Sequence, residues 1–441
     1  MVGTAHGNIT AMDARIKTEA TSTPATGLYH GWLVVVLAFL IAMFSWGLGF
    51  YGLGIYLVAL RARFGWSAAD IASAITVYYI LGAALTFLFV GRVFDRHGVR
   101  RVVAVGVLAL AASVATLPLA GELWHVHAIF ALMSIGWATM SNAAINIIVA
   151  PWFDRRRGLA VSLALNGASA GGLVMAPLLV FLIDELGFAA ALQLVGALAL
   201  VVLLPLLAMI AREKGPHEHD REDDPAFAGV ATAAEQHAPG APPFSARKVL
   251  FDPKFITISI PFALGLIAQV GFLTHQVAFL TPMTGTVTAA WMVSLTAFAA
   301  IAGRLGTGLF VDRVNRRVVS CGNFLVQVLA MAILISTASV PMLAAGSVLL
   351  GLALGNVISL PALIVQQEFP KRDFARIVSM IVAINQFAFA FGPALLGRLQ
   401  LPDGSYARAL LACLAMEAVA AFIVLAPVMG RRNERLDRPI I

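Results

Sequence analysis

The stretch GRVFDRHGVRR, residues 91–101, returns later in the chain as GLFVDRVNRR, residues 308–317. In both copies a glycine, three further residues and Asp-Arg lead into a basic pair, and Asp95 and Asp312 lie 217 positions apart. A second set of landmarks repeats at an offset of 216: Phe153 with Pro177, and Phe369 with Pro393. Two landmarks at nearly one offset predict a duplicated unit, and therefore two similar halves.

The composition predicts that both halves lie in a membrane. Of 441 residues, 60% are hydrophobic and only 12% are charged, whereas about a quarter of a soluble domain is charged. Apolar runs of about 20 residues, the length that crosses a bilayer as a helix, recur along the chain. They predict an all-α membrane protein with twelve transmembrane helices: 33–60, 70–91, 102–121, 126–150, 159–184, 189–211, 255–281, 288–311, 318–337, 341–367, 376–398 and 406–429.

A long polar stretch separates the sixth predicted helix from the seventh. It is rich in Pro, Ala, Gly and charged residues, a composition typical of a flexible linker. The predicted organisation is therefore a tail, a six-helix half, a linker, a second six-helix half and a tail: 1–32, 33–211, 212–254, 255–429 and 430–441.

Basic residues collect on one side of the predicted bundle. If the N-terminus is cytoplasmic, 25 of the 30 Lys and Arg residues fall on the cytoplasmic side. Four fall on the other side: Arg61, Arg63, Arg398 and Arg408. The positive-inside rule then predicts a multi-pass protein of the cell membrane, the inner membrane of a bacterium, with both termini cytoplasmic. The net charge of +7 reflects this orientation and does not indicate nucleic-acid binding.

Motifs of several other classes do not occur in the sequence. It contains no Gly-x-x-x-x-Gly-Lys-Ser/Thr and no His-Glu-x-x-His, the patterns of nucleotide and zinc sites. Its two cysteines, Cys321 and Cys413, lie in or beside apolar runs, which predicts neither a disulfide nor a metal site. The sequence therefore predicts a protein that is not an enzyme and uses no metal or other cofactor.

The loop pattern Gly-x-x-x-Asp-Arg-x-Gly-x-Arg-Arg, the twelve helices and the central linker resemble the major facilitator superfamily over nearly the whole chain. Further stretches are similar to its monocarboxylate and oxalate–formate antiporter branch, bacterial members included: YHGWLVV (29–35), FGWSAADI (64–71), VAPWFDRRRGLAVSLALNGASAGG (149–172) and FGPALLGRL (391–399). The resemblance implies two pseudo-symmetric six-helix halves that transport a small solute by alternating access.

The repeated loop predicts a conformational latch between the halves. Carboxylates at Asp95 and Asp312 could sit near helix N-termini of the opposite half, contacts worth about 0.3–1 kcal/mol each. The predicted latch comprises Gly91, Asp95, Arg96, Gly98, Arg101, Gly308, Asp312, Arg313 and Arg317. The alternative is a loop that serves orientation and solubility alone, since the basic cluster after Asp312 has the composition of a solvated loop.

Arg304 stands alone inside the eighth apolar run, about 10 Å from its cytoplasmic end at 1.5 Å per residue. Charges inside a membrane mark functional sites by default, and a side chain that snorkels to the boundary is the alternative. The planar guanidinium is a good receptor for a carboxylate. In the transporters that the chain resembles, an arginine of the eighth helix pairs with the substrate, and Arg304 matches it within GRLGTG (303–308).

Amides lie at a similar predicted depth on four other helices. Together they predict the lining of a wet cavity around Arg304, although each one could instead join neighbouring helices, and Tyr78 could either line the cavity or pack. The predicted substrate-binding residues are Arg304, Asn142, Asn146, Asn166, Asn356, Asn385, Gln386 and Tyr78.

Three departures from the family bear on the substrate. Position 300 is Ala where animal monocarboxylate transporters carry Asp, the first helix lacks their Lys, and Asn385 and Gln386 stand where the oxalate–formate antiporter adds a Lys. A single cation favours a substrate with one negative charge. His275, in the seventh helix, titrates in the physiological range and is predicted to be a gating or proton-coupling residue, with a structural role as the alternative. Glu417, deep in the twelfth helix, is expected to be structural or paired within the bundle.

We therefore predict secondary active or facilitative transport of a small organic anion, most simply a monocarboxylate, by a monomer in the lipid bilayer. Uniport, symport with a proton and antiport with a counter-anion all stay open. One alternative function is a major facilitator exporter of drugs or other small metabolites, although such exporters more often carry an acid in the cavity. Another is a membrane ligand sensor that does not transport.

Overall fold

The computed structural model describes residues 29–153, 156–211, 245–311, 313–370 and 373–436, which are almost entirely helical. Residues 1–28 of the N-terminal tail, 212–244 of the predicted linker, 437–441 of the C-terminal tail and Asp312 of the predicted latch lie outside the described residues. A short helix, Ala246–Leu250, falls inside the predicted linker.

Long apolar helices confirm the predicted class of all-α membrane protein. The described residues form ten helices that are long and apolar enough to cross a membrane, and two of them have 52 residues, roughly 78 Å against a hydrocarbon core of about 30 Å. Each of these two is interrupted at a glycine with positive φ, Gly98 (φ 73°) and Gly187 (φ 78°), a conformation that L side chains rarely adopt. Divided there, the described residues give twelve helices, which is consistent with the predicted number.

We number these helices in chain order. The first half contains α1 to α6: His30–Phe64, 68–97, 99–116, Leu123–Trp152, 159–186 and 188–210. The second half contains α7 to α12: Pro253–Thr284, Thr286–Phe310, Arg316–Ser336, Val340–Val357 with its continuation Leu360–Glu368, Arg376–Leu399, and Ala407–Val428.

The two sides of the membrane differ in how closely the halves approach each other. We call the side where α6 ends and α7 begins the linker side, and the opposite side the far side. At the far side, a Cβ atom at Gly54 of α1 would lie 2.9 Å from the Thr274 carbonyl oxygen of α7. A Cβ atom at Gly397 of α11 would lie 2.9 Å from Cα of Ala69 in α2. Glycines thus let helices of opposite halves touch through their backbones.

The halves also meet in the middle of the membrane and diverge beyond it. Ser294 of α8 donates a hydrogen bond of 3.0 Å to the Leu173 carbonyl oxygen of α5. Toward the linker side, the segments Asn142–Val149 of α4 and Leu360–Glu368 of α10 pack mainly against helices of their own half. The space between the halves therefore widens toward the linker side.

Candidate functional site

A π-turn in α1, Gly47–Tyr51, lies in the middle of the membrane. Such turns insert an extra residue into a helix and occur frequently at functional sites. The Tyr78 hydroxyl of α2 donates to the Gly49 carbonyl oxygen within the turn at 2.7 Å. Tyr51 ends the turn, and its ring lies against Gly172 of α5, where a Cβ atom would be only 2.6 Å from the ring. The glycine at 172 leaves room for an aromatic side chain that points from α1 toward the second half.

Arg304 of α8 lies near Tyr51 of α1, a residue of the opposite half. The two side chains are close enough to interact electrostatically, and Arg304 Nε donates to the Gly355 carbonyl oxygen of α10 at 3.3 Å. The Arg304 side chain is part-exposed. Within the described residues, no carboxylate pairs with it and neither Nη nitrogen has a hydrogen-bond partner. The two Nη groups therefore remain available to a ligand.

Aromatic side chains of the first half, Tyr51 among them, pack together into a wall. Their ring centroids lie 4.8–6.4 Å apart, and Tyr79 also contacts Phe389 of α11 edge-on at 5.3 Å. Three of their polar atoms, Trp46 Nε1, Trp137 Nε1 and the Tyr79 hydroxyl, are buried without a partner among the described residues. We call this set the aromatic wall; its members are Trp46, Phe50, Tyr51, Tyr78, Tyr79 and Trp137.

Four of the predicted amide residues are accessible in this structure. Asn146 is exposed and donates to the Asn142 carbonyl oxygen at 2.8 Å, and Asn142, Asn166 and Gln386 are part-exposed. In the described part of the chain, none of these side chains bonds to Arg304. Their place in the lining of a substrate cavity stays a prediction.

The other predicted polar residues are buried. Asn356 is 4% exposed and donates to Asn323 of α9 at 3.2 Å, which joins two helices of the second half. Tyr78 is fully buried and bonded to α1. Asn385 is buried, with its Oδ1 atom lacking a partner among the described residues. In this arrangement Asn356 and Tyr78 hold helices together, which was the alternative interpretation of both.

His275 lies at the far side in a directed chain of hydrogen bonds. Its Nε2 atom lies 2.9 Å from the Pro393 carbonyl oxygen, which can only accept, so Nε2 carries the proton. Nδ1 of the neutral ring then accepts from the Tyr406 hydroxyl at 3.0 Å. Burial raises the pKa of Tyr406 to about 12, despite a hydrogen bond from Arg61 that opposes the shift, so Tyr406 keeps its proton. Because Arg61 belongs to α1, this series of hydrogen bonds links the two halves.

Glu417 of α12 is fully buried in the second half, away from this site. A Cβ atom at Gly265 of α7 would lie 3.4 Å from one of its carboxyl oxygens, and Cys413 lies one turn away on the same helix. Both carboxyl oxygens lack a hydrogen-bond partner in the described part of the chain. The expected pairing of Glu417 within the bundle is therefore not seen among these residues.

The residues of the predicted latch lie in two different environments. Asp95, Arg96, Arg101 and Arg313 are exposed, and Asp312 is outside the described residues. Gly98 supplies the positive φ between α2 and α3. Asp95 makes no hydrogen bond or ion pair with another described residue, so contact of this loop with the opposite half remains a prediction.

The environment of Arg317 corrects the interpretation of the basic cluster after Asp312 as a solvated loop. It is the second residue of α9 and is 2% exposed. Its Nε and Nη2 atoms donate to the two carboxyl oxygens of Glu368 at 2.6 and 2.8 Å. Nη1 donates to the carbonyl oxygens of Thr257 and Val424. The interpretation was wrong because the partner carboxylate comes from α10, far along the chain, and nothing in the local sequence indicates it.

Comparisons with known proteins agree with this geometry. The family model described as Major Facilitator Superfamily matches residues 35–393 and 277–439. Among solved structures, a bacterial homologue of the human lysosomal transporter Spinster, inward-facing and unoccupied, aligns over 92% of this chain and 97% of its own, with a TM-score of 0.68 and 17% identity. The nucleoside transporter NupG aligns over 90% and 99%, with a TM-score of 0.69 and 14% identity. At these identities the structures show the fold.

Curated relatives carry transporter names. Human monocarboxylate transporter 11 is 35% identical over 191 residues, 40% of this chain and 38% of that protein. The chain thus spans less than half the length of that relative. The agnestins efflux protein AgnL12 of Paecilomyces divaricatus is 26% identical over 345 residues, 76% of this chain and 73% of that protein. With a family model matched along nearly its whole length and twelve helices in two halves, the chain belongs to the major facilitator superfamily.

Proposed function

We propose that this protein carries small organic monocarboxylates across the membrane by alternating access, with Arg304 binding the carboxylate. The observation that carries the proposal is the guanidinium between the halves, held at Nε by α10 and without a carboxylate partner among the described residues. Two free Nη groups fit a carboxylate as paired donors. Because Arg304 is the one cation that we assign to this site among the described residues, it balances a single negative charge on the substrate and leaves a second one unbalanced.

The position of Arg304 favours substrate binding over snorkelling. A snorkelling arginine extends to the boundary along its own helix, whereas Arg304 bonds sideways to Gly355 and lies beside Tyr51 of the opposite half. A ligand held there contacts both halves at once. That is what coupling of binding to their relative movement requires.

The aromatic wall suits the organic part of such a substrate. Aromatic faces offer apolar area at low entropic cost, and their N–H and O–H groups bond to polar substituents. The polar groups of Trp46, Trp137 and Tyr79 are buried here and lack a partner among the described residues. A hydroxyl or keto oxygen on the acid would satisfy them once movement of the halves exposes them. We therefore include substituted acids in the substrate class.

Coupling and direction belong to the proposal as well. His275, through Tyr406 and Arg61, is the element that we assign to the far-side gate, and the loop around Asp95 is the linker-side latch. Export is the second candidate direction, because a relative of similar length is named an efflux protein. We place the linker side and both termini in the cytoplasm, as the basic residues indicate.

Uptake into proteoliposomes tests the proposed function. Labelled formate, lactate, pyruvate, oxalate and malate should be offered with and without an imposed pH gradient, beside protein-free liposomes. We expect saturable transport of the monocarboxylates and slower transport of the dianions, and stimulation by inward proton movement would identify symport. Transport of cationic drugs without any carboxylate would support the exporter alternative. Binding without transport would support the sensor.

Gly54 provides a test of the alternating-access part of the proposal. In Gly54→Val the new side chain meets the Thr274 carbonyl oxygen at the far-side contact, so the halves cannot close there as they do now. We expect exchange transport to fall at least about tenfold, since the steric overlap of the new side chain with the facing backbone costs about 1–3 kcal/mol. Gly322→Ala in α9, where a Cβ atom meets nothing within 4 Å, is the matched control. Equal exchange rates for the two variants would contradict the prediction.

A further inference from the structure

A groove separate from the Arg304 site lies between α2, α3 and α4, in the part of the membrane nearest the linker side. Its volume is about 550 Å³, within the range of small-molecule sites. Its walls are apolar for most of its length: Leu85, Phe89, Val93, Val105, Ile135 and Ala138. Only its linker end carries ionisable groups, His97 and Arg101.

The groove faces the lipid phase. Phe89 and Val105, which line it, are 50% and 55% exposed. The hydroxyl of Thr139, on its floor, donates to the Ile135 carbonyl oxygen of its own helix at 2.8 Å, so it offers no free donor. In a membrane such a surface is covered by hydrocarbon.

Local features of α2 and α3 shape the groove. A π-turn, Thr86–Val90, changes the course of α2 where the helix lines the groove. On the opposite wall a Cβ atom at Gly106 would lie 2.0 Å from the Thr139 hydroxyl, so α3 packs closely on α4. The floor of the groove is therefore formed where α3 and α4 touch, and α2 lines its other side.

The charge at the linker end complements an anionic head group. The stretch 91–101 carries four arginines and one aspartate, and Arg101 and His97 are exposed at the groove's end. His97 Nδ1 donates to the Val93 carbonyl oxygen at 3.3 Å, which leaves Nε2 without a partner among the described residues. Basic pockets between transmembrane helices on the cytoplasmic side are typical binding sites for anionic lipid head groups.

We propose that this groove binds an anionic glycerophospholipid of the linker-side leaflet. One acyl chain lies along the apolar wall from Val93 to Ile135, and the phosphate contacts Arg101 and His97. The site is independent of the transported substrate, because it opens to lipid on the outer surface of the first half.

Native mass spectrometry of the purified full chain tests this proposal. Palmitoyl-oleoyl phosphatidylglycerol and the phosphatidylcholine with the same chains should be titrated against the wild type and three variants. Arg101→Gln removes the head-group contact, and Val105→Trp fills the groove without a change in charge. Arg100→Gln is the matched control, because Arg100 is an exposed neighbour that carries the same charge and does not line the groove.

We expect the wild type to retain the phosphatidylglycerol in preference to the phosphatidylcholine. Arg101→Gln should weaken phosphatidylglycerol retention about fivefold, the effect of one basic residue at an anionic surface, and Val105→Trp should weaken retention of both lipids. Equal effects of Arg100→Gln and Arg101→Gln, or no preference between the lipids, would overturn the proposal. Displacement of phosphatidylglycerol by millimolar inorganic phosphate would also overturn it, by assigning the site to a free anion. If Arg101→Gln does not fold, His97→Gln takes its place.

Discussion

Arg304→Ala is expected to lose carboxylate transport while keeping its fold. The side chain makes one hydrogen bond within the described protein, from Nε to Gly355, so its removal costs little packing. Two charge-assisted hydrogen bonds to the substrate are lost, each worth about 1.5–3 kcal/mol, which predicts a fall in kcat/KM of roughly 100-fold or more. The measurement is initial uptake of a labelled monocarboxylate into proteoliposomes at matched protein density.

Arg304→Lys separates charge from geometry. Lysine keeps the positive charge but presents a single ammonium group in place of the planar fork, so we expect activity between those of the wild type and Arg304→Ala, with a raised KM. Arg408→Ala is the control, because it removes an exposed arginine of the second half that belongs neither to the predicted site nor to the predicted latch. Wild-type uptake by a correctly inserted Arg304→Ala protein would exclude Arg304 as the carboxylate receptor.

Arg317→Ala is expected to destabilise the protein far more than the loss of an exposed arginine does. The guanidinium is 2% exposed and donates to Glu368 and to backbone carbonyl groups of α7 and α12. Its loss leaves a carboxylate and several carbonyl oxygens buried without a donor. Breaking a buried pair in this way costs about 3–5 kcal/mol.

Denaturant unfolding of the detergent-solubilised protein, followed by circular dichroism, gives this difference in the free energy of unfolding. Arg313→Ala should differ from the wild type by less than about 0.5 kcal/mol, because the residue is exposed. The double variant Arg317→Leu with Glu368→Leu should recover part of the loss, since it removes both charges together. Equal stabilities of Arg317→Ala and Arg313→Ala would show that the buried pair does not stabilise the second half.

The sequence was sufficient to predict the long apolar helices, because they follow from apolar runs along the chain. The predicted division of the two 52-residue helices is consistent with the structure, in which a glycine of positive φ interrupts each of them; between α2 and α3 a polar basic stretch also indicated the break. Contacts between distant helices could not be predicted. Tyr51 comes near Arg304 only because the halves pack face to face, and no local pattern in the sequence indicates which residues of α1 face α8.

Depth along a helix also did not reveal the direction in which a side chain points. Asn142 and Asn356 were both predicted to line the cavity, yet Asn142 is part-exposed while Asn356 bonds to Asn323 inside its own half. Rotation about the helix axis decides between these outcomes, and it depends on packing with neighbours. Glu368 and Tyr406 were missed for a related reason, because each gains its role from a partner on another helix.

The two copies of the internal repeat are more alike in sequence than in the contacts that their side chains make. At the offset of 216, Glu368 corresponds to Trp152. The Trp152 ring packs at a tilt against His30 with the ring centroids 5.0 Å apart, and its carbonyl oxygen accepts a hydrogen bond from Tyr29. Arg101, the repeat counterpart of Arg317, is exposed. At this repeated position, aromatic rings pack the helices of the first half together, whereas an ion pair does so in the second half. The basic end of the groove at Arg101 therefore has no chemical counterpart at Arg317.

The unpaired charge of Arg304 has an electrical consequence. If Arg304 binds the carboxylate as proposed, the empty binding site carries one positive charge, since no described carboxylate lies beside Arg304, and a bound monocarboxylate brings the total charge of the site to zero. A loaded carrier then reorients without moving net charge at this site, while the empty carrier moves a cation through part of the membrane field. Since a full crossing of one charge corresponds to about 2.3 kcal/mol per 100 mV, the membrane voltage acts on the return of the empty protein and leaves the loaded step almost unaffected.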